Sequence, residues 1–74
     1  MNYDRQKFGK TVRTLRGPLP PRDFAKRLRT SPAILARVEQ GKLVDDNVIE
    51  KVCAILELDI NEFPAGKAGE HKSK

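Results

Sequence analysis

The sequence predicts an all-α fold, a compact bundle of five short helices, and three observations carry that expectation. Apolar residues recur at spacings of three and four through most of the 74 residues. Gly17-Pro18, Pro20-Pro21, Ser31-Pro32, Gly41 and Pro64 fall between the periodic runs, where they can stop one helix and start the next. No stretch alternates apolar and polar residues with the period of two that a half-buried strand needs, and no internal repeat is present.

The elements follow in order. Asp4 caps a first helix over about 5–16, with Phe8, Val12 and Leu15 on its inner face and Gly17-Pro18 as its stop. Leu19-Pro20-Pro21 is a stiff connector, and Pro21 opens a second helix reaching about Leu28, because the first turn has no use for the N–H that proline lacks. Ser31 caps a third helix with Pro32 at its first position, Leu35 and Val38 on its buried stripe, and Gly41 as its stop. Asp45 caps a fourth, Asp46 to about Glu57, whose Val48, Ile49, Val52, Ile55 and Leu56 form a wide apolar face. Asp59-Ile60-Asn61-Glu62 fits a capping box and so a short fifth helix around Phe63. Residues 1–64 form the domain, and the basic tail 65–74 has no apolar anchor and is expected to be disordered.

The most informative stretch is FAKRLRTSPAILARVEQGK, residues 24–42. Phe24, Ala25 and Leu28 lie at helical spacing, and the second and third helices are joined by too few residues for an ordinary loop. That layout is a helix-turn-helix, with Ala25 small enough for a close helix crossing. With the flanking Arg22, the stretch carries Lys26, Arg27, Arg29, Arg37 and Lys42 against only Asp23 and Glu39. The charge is unevenly spread along the chain: residues 1–44 hold 11 Lys/Arg and 3 Asp/Glu, residues 45–63 hold one Lys and six acids, and residues 64–74 hold three Lys and one Glu. A single-signed half that contains the helix-turn-helix suits a polyanionic partner.

Composition excludes several classes. A 74-residue chain makes one small domain whose core is marginal alone, so self-association is physically attractive. No run approaches the ~20 apolar residues that cross a bilayer, and the N-terminus lacks the apolar segment of a secretory signal, so a soluble cytoplasmic protein is expected. Cys53 is the only cysteine and sits in the stripe VIEKVCAIL as a small hydrophobe; with His71 the only histidine, no metal cluster or cofactor is expected. No pair of catalytic groups stands out, and an enzyme is not expected.

The sequence resembles the phage-repressor and Cro-like helix-turn-helix family, also called the xenobiotic-response-element family. The resemblance covers residues 8–63 and rests on FGKTVRTLR, FAKRL, SPAILARVEQGK and VIEKVCAILELDINEF. It implies a lambda-repressor-like fold and an ion pair between Arg16 and Glu39. It also implies a homodimer that pairs through the end of the fourth helix and the segment after it, Leu58, Ile60 and Phe63, although Phe63 can equally plug the core. Three positions depart from the pattern: Arg29 stands where the family has a turn glycine, Pro21 where it has a phosphate-binding glutamine, and the first connector looks about two residues short.

Two functions follow. In the first, the protein is a sequence-specific DNA-binding transcriptional regulator, a repressor that binds a double-stranded operator as a homodimer with the third helix in the major groove. Ser31, Pro32, Ala33 and Ile34 then lie at the front of that helix, Arg37 reads a guanine, Ala33 and Ile34 touch thymine methyls, and Arg22, Lys26, Arg27, Arg29 and Lys42 grip phosphates. In the second, the same fold is a protein-interaction module, such as an antiactivator or antitoxin subunit, with Pro32, Ala33 and Ile34 as its contact patch. The tail contributes electrostatics to DNA binding or serves only as a solubilising end.

Overall fold

The computed structural model of the chain describes residues 2–65. Its elements are α1 (Arg5–Arg16), α2 (Pro21–Arg27), α3 (Pro32–Glu39) and α4 (Asp46–Leu56), followed by a 3-10 turn, Ile60–Glu62. The described residues are therefore all-helical with four α-helices, and the expected fifth helix is a single turn. Two local causes stop it there. The Asp59 carboxylate accepts from the Asn61 N–H and not from Glu62, an Asx turn in place of a capping box. Phe63 then precedes Pro64, which drives its backbone away from the helical region to φ −124° and ψ 60°. The expected basic tail lies outside the described residues, apart from Ala65. Among the described residues, no helix is long and apolar enough to cross a membrane.

Local chemistry sets the helix starts. The Asp4 carboxylate accepts from the Lys7 N–H at 3.1 Å, and the Ser31 hydroxyl accepts from the Ile34 N–H at 3.1 Å, so α1 and α3 are capped as expected. Asp45 occupies the cap position of α4 but makes no side-chain cap bond; only its carbonyl serves, accepting from Val48 and Ile49.

The core is Tyr3, Phe8, Val12, Phe24, Ala25, Leu28, Leu35, Val38, Ile49, Val52 and Phe63. Phe8 sits at its centre, 1% exposed, with Tyr3 and Phe63 packed edge-on at ring-centroid distances of 5.5 and 5.2 Å. Phe63 is 4% exposed, and its carbonyl accepts from the Asp4 N–H at 2.7 Å, which ties the two ends of the domain together. Phe63 is thus the plug, and it is withdrawn from the expected dimer contact.

Leu15 corrects another expectation, since it is 48% exposed. The contact of α1 with α3 centres on Gly9, where an added Cβ would lie 2.5 Å from the Val38 carbonyl oxygen and 2.8 Å from that of Glu39. Each residue turns a helix by about 100°, so centring the buried face near Gly9 and Val12 carries Leu15 out to its edge. Ile55 is turned out of the core in the same way at 40% exposure.

Candidate nucleic-acid interface

The two central helices are joined by Leu28–Ser31, and the chemistry of that turn is unusual. The Arg29 N–H donates to the Lys26 carbonyl at 3.1 Å and the Thr30 N–H to the Ala25 carbonyl at 2.9 Å. This pair of bonds is a Schellman motif, which places its first donor residue in the left-handed region. Arg29 fills that place at φ 58°, where glycine would be unstrained. Lys51 of α4, the one cation in the acidic segment, donates its Nζ to the Arg29 carbonyl at 2.9 Å and secures the turn. Arg29→Gly should raise stability by about 1 kcal/mol by relieving the backbone. A midpoint of thermal unfolding that falls on this substitution would contradict the assignment.

The end of α3 uses the same motif with a glycine. The Gly41 N–H donates to Val38 and the Lys42 N–H to Arg37, with Gly41 at φ 76°. Arg5 from the start of α1 donates its Nε to the Gly41 carbonyl at 3.1 Å. Behind α3, Arg16 and Glu39 form the expected pair: Nε to Oε2 at 2.9 Å and Nη2 to Oε1 at 3.3 Å, with Arg16 Nη1 also donating to the Leu19 carbonyl at 3.1 Å. The two side chains are 13% and 11% exposed, so the bond is sheltered and bidentate. Glu39 is thereby neutralised at the back of the helix.

Leu35 and Val38 face inward and Ile34 is half-buried, which leaves Pro32, Ala33, Ala36, Arg37 and Gln40 towards the solvent side of α3. Ile34 therefore lies on the flank rather than at the front. Ala36 and Gln40 were absent from the residues that the sequence singled out, although their position opposite Leu35 and Val38 follows from the helical period. The Ser31 hydroxyl, committed as an acceptor to its cap, keeps its own O–H to donate.

In α2, in the turn after it and just past α3, Arg22, Lys26, Arg27, Arg29 and Lys42 are exposed, and their side chains make no hydrogen bond or ion pair with any described residue. Arg37 differs. It is exposed, but its Nε and Nη2 both donate to the Leu43 carbonyl, at 3.2 and 2.9 Å. Between the starts of α2 and α3, Pro20, Pro21, Arg22, Asp23 and Pro32 line an open groove of about 560 Å³. Pro21 is at the first position of α2 and has no N–H to offer a phosphate there.

Elsewhere, Leu58 and Ile60 are half-buried and, with Ile49, Glu50, Cys53 and Asp59, frame a groove of about 330 Å³. Burial, reinforced by Asp59, raises the Cys53 thiol above its ordinary pKa, so it is protonated at neutral pH and acts as a small hydrophobe. No group of three or more metal-ligating side chains occurs among the described residues. Comparison with protein-family models, with curated proteins and with solved structures finds no match to this chain.

Proposed function

We propose that this protein is a sequence-specific DNA-binding transcriptional regulator of the lambda-repressor-like helix-turn-helix kind. It binds an operator as a homodimer, with α3 in the major groove. The observation that carries the reading is the solvent face of α3, open along its length, with five exposed cations just before and after the helix in the chain that have no internal work to do. Each such cation desolvates at little cost on a phosphate and releases a counterion, which is the main source of affinity for duplex DNA. Glu39, the acid nearest that face in sequence, is spent on Arg16. Repression requires only that the operator be occupied, which these residues supply.

One small helix reads too few bases for operator-level specificity, and a two-fold pair places two reading helices one turn of DNA apart. Leu58 and Ile60, half-buried after the end of α4, supply the contact between copies. Sedimentation of the complex with duplex DNA from upstream of the protein's own gene tests this. Two copies per duplex are expected; a monomer at high micromolar concentration, both free and on DNA, overturns the dimer.

The interaction-module reading has two observations in its favour. Leu43 is 65% exposed, and the Arg37 side chain, on the solvent side of α3, already has an internal partner in the Leu43 carbonyl.

A further inference from the structure

The bonds between Arg37 and Leu43 have a chemical asymmetry. A guanidinium donates in parallel along two edges: a side edge made of Nε–H and one Nη2–H, and an end edge made of Nη1–H and the other Nη2–H. The Leu43 carbonyl occupies the side edge alone, accepting from Nε at 3.2 Å and Nη2 at 2.9 Å. The end edge makes no bond with any described residue. The Leu43 carbonyl is itself held in register, because the Lys42 N–H donates to the Arg37 carbonyl at 2.9 Å. Backbone and side chain of Arg37 thus grip consecutive residues of one short loop, and the loop grips back.

We propose that the Leu43 carbonyl is the positioning group that makes Arg37 a guanine reader, holding the guanidinium by its side edge and presenting its end edge to O6 and N7. The inference rests on the DNA-binding reading and deepens it. An exposed arginine on an eight-residue helix ordinarily samples many rotamers, and binding must freeze them. Here one carbonyl restricts that freedom before DNA arrives, and the free edge has the two parallel donors that guanine alone matches in the major groove. The other cations around α3 have no such anchor, which fits them for phosphates, where direction matters less.

The clamp is a backbone atom, so the test changes the backbone. Replacing the peptide bond between Leu43 and Val44 by an ester, in a synthetic full-length chain, makes the Leu43 carbonyl a weaker acceptor. It removes only the Val44 N–H, which makes no backbone bond among the described residues. Wild type, the ester chain and Arg37→Lys are each used to select duplexes from a random library, and their folding is compared by circular dichroism. The expected result is one guanine per half-site in the wild-type motif, lost with Arg37→Lys and weakened about three- to tenfold with the ester, at unchanged affinity for random duplex. An ester chain that keeps the full guanine preference overturns the clamp while leaving the DNA-binding reading in place. So does a wild-type motif with no guanine sensitive to Arg37→Lys. A wild-type chain that selects no motif overturns the reading itself.

Discussion

Gly9→Ala is expected to destabilise the domain by about 3 kcal/mol, against the direction that helix propensity alone dictates. Alanine in the middle of a helix is worth about 1 kcal/mol more than glycine, so a residue free of tertiary contacts would stabilise the protein on this change. Here the new methyl would stand 2.5 Å from the Val38 carbonyl oxygen and 2.8 Å from the Glu39 oxygen, both backbone atoms that cannot rotate aside. Relief requires α1 and α3 to move apart, and that opens the core to which Val12 and Val38 both belong and pulls Glu39 from Arg16. Interiors at close-packed density accommodate such insertions poorly. For a domain of this size the loss corresponds to a fall of roughly 12–24 °C in the unfolding midpoint. Thermal denaturation checks it, and a midpoint unchanged or raised would show that the two helices do not cross at Gly9.

Arg37→Ala and Lys42→Ala are expected to fail in different ways on DNA. Arg37 projects from the open face of α3 with its end edge free, so its loss should cost about 1–3 kcal/mol on the operator and little on random duplex, relaxing specificity at one position per half-site. Its stability cost should be small, because the bonds it makes to Leu43 are exposed. Lys42 follows the left-handed Gly41, and its side chain has no bond of its own to give up. Lys42→Ala should weaken operator and random duplex alike and lower the salt dependence by roughly one ion for each phosphate left without its lysine. Titrations of both variants on both duplexes separate the cases. If Arg37→Ala leaves operator affinity intact, the base-reading role fails and the exposed apolar face of α3 is better read as a protein contact.

The parts of this fold that were legible in the sequence are those decided within a turn of helix. Asp4, Ser31, Pro21 and Pro32 act on the next three or four residues, so their roles could be read directly. Arg29 in the left-handed turn and the Arg16–Glu39 pair were reachable through the family resemblance, which supplied partners that periodicity cannot. What the sequence hid depends on distant backbone. Gly9 inside an apolar-periodic helix is a signal of close approach that was open to reading, but its partner lies 29 residues on at Val38. Leu15 and Ile55 had the right spacing and were turned outward by where neighbouring helices cross, which no local pattern encodes. Among the basic residues, sequence composition counts charges but cannot tell which are occupied. Arg5, Arg16, Arg37 and Lys51 each hold a carbonyl of a turn or loop, and among the described residues the other cations stay wholly available to a polyanion.

Equilibrium titration of the full chain against the duplex it selects and a scrambled duplex of equal length, across a range of salt, tests the central claim most directly. The account predicts at least about a thousandfold preference for the selected duplex, with both affinities falling steeply as salt rises. Coincident curves for the two duplexes, or affinities indifferent to salt, would contradict it.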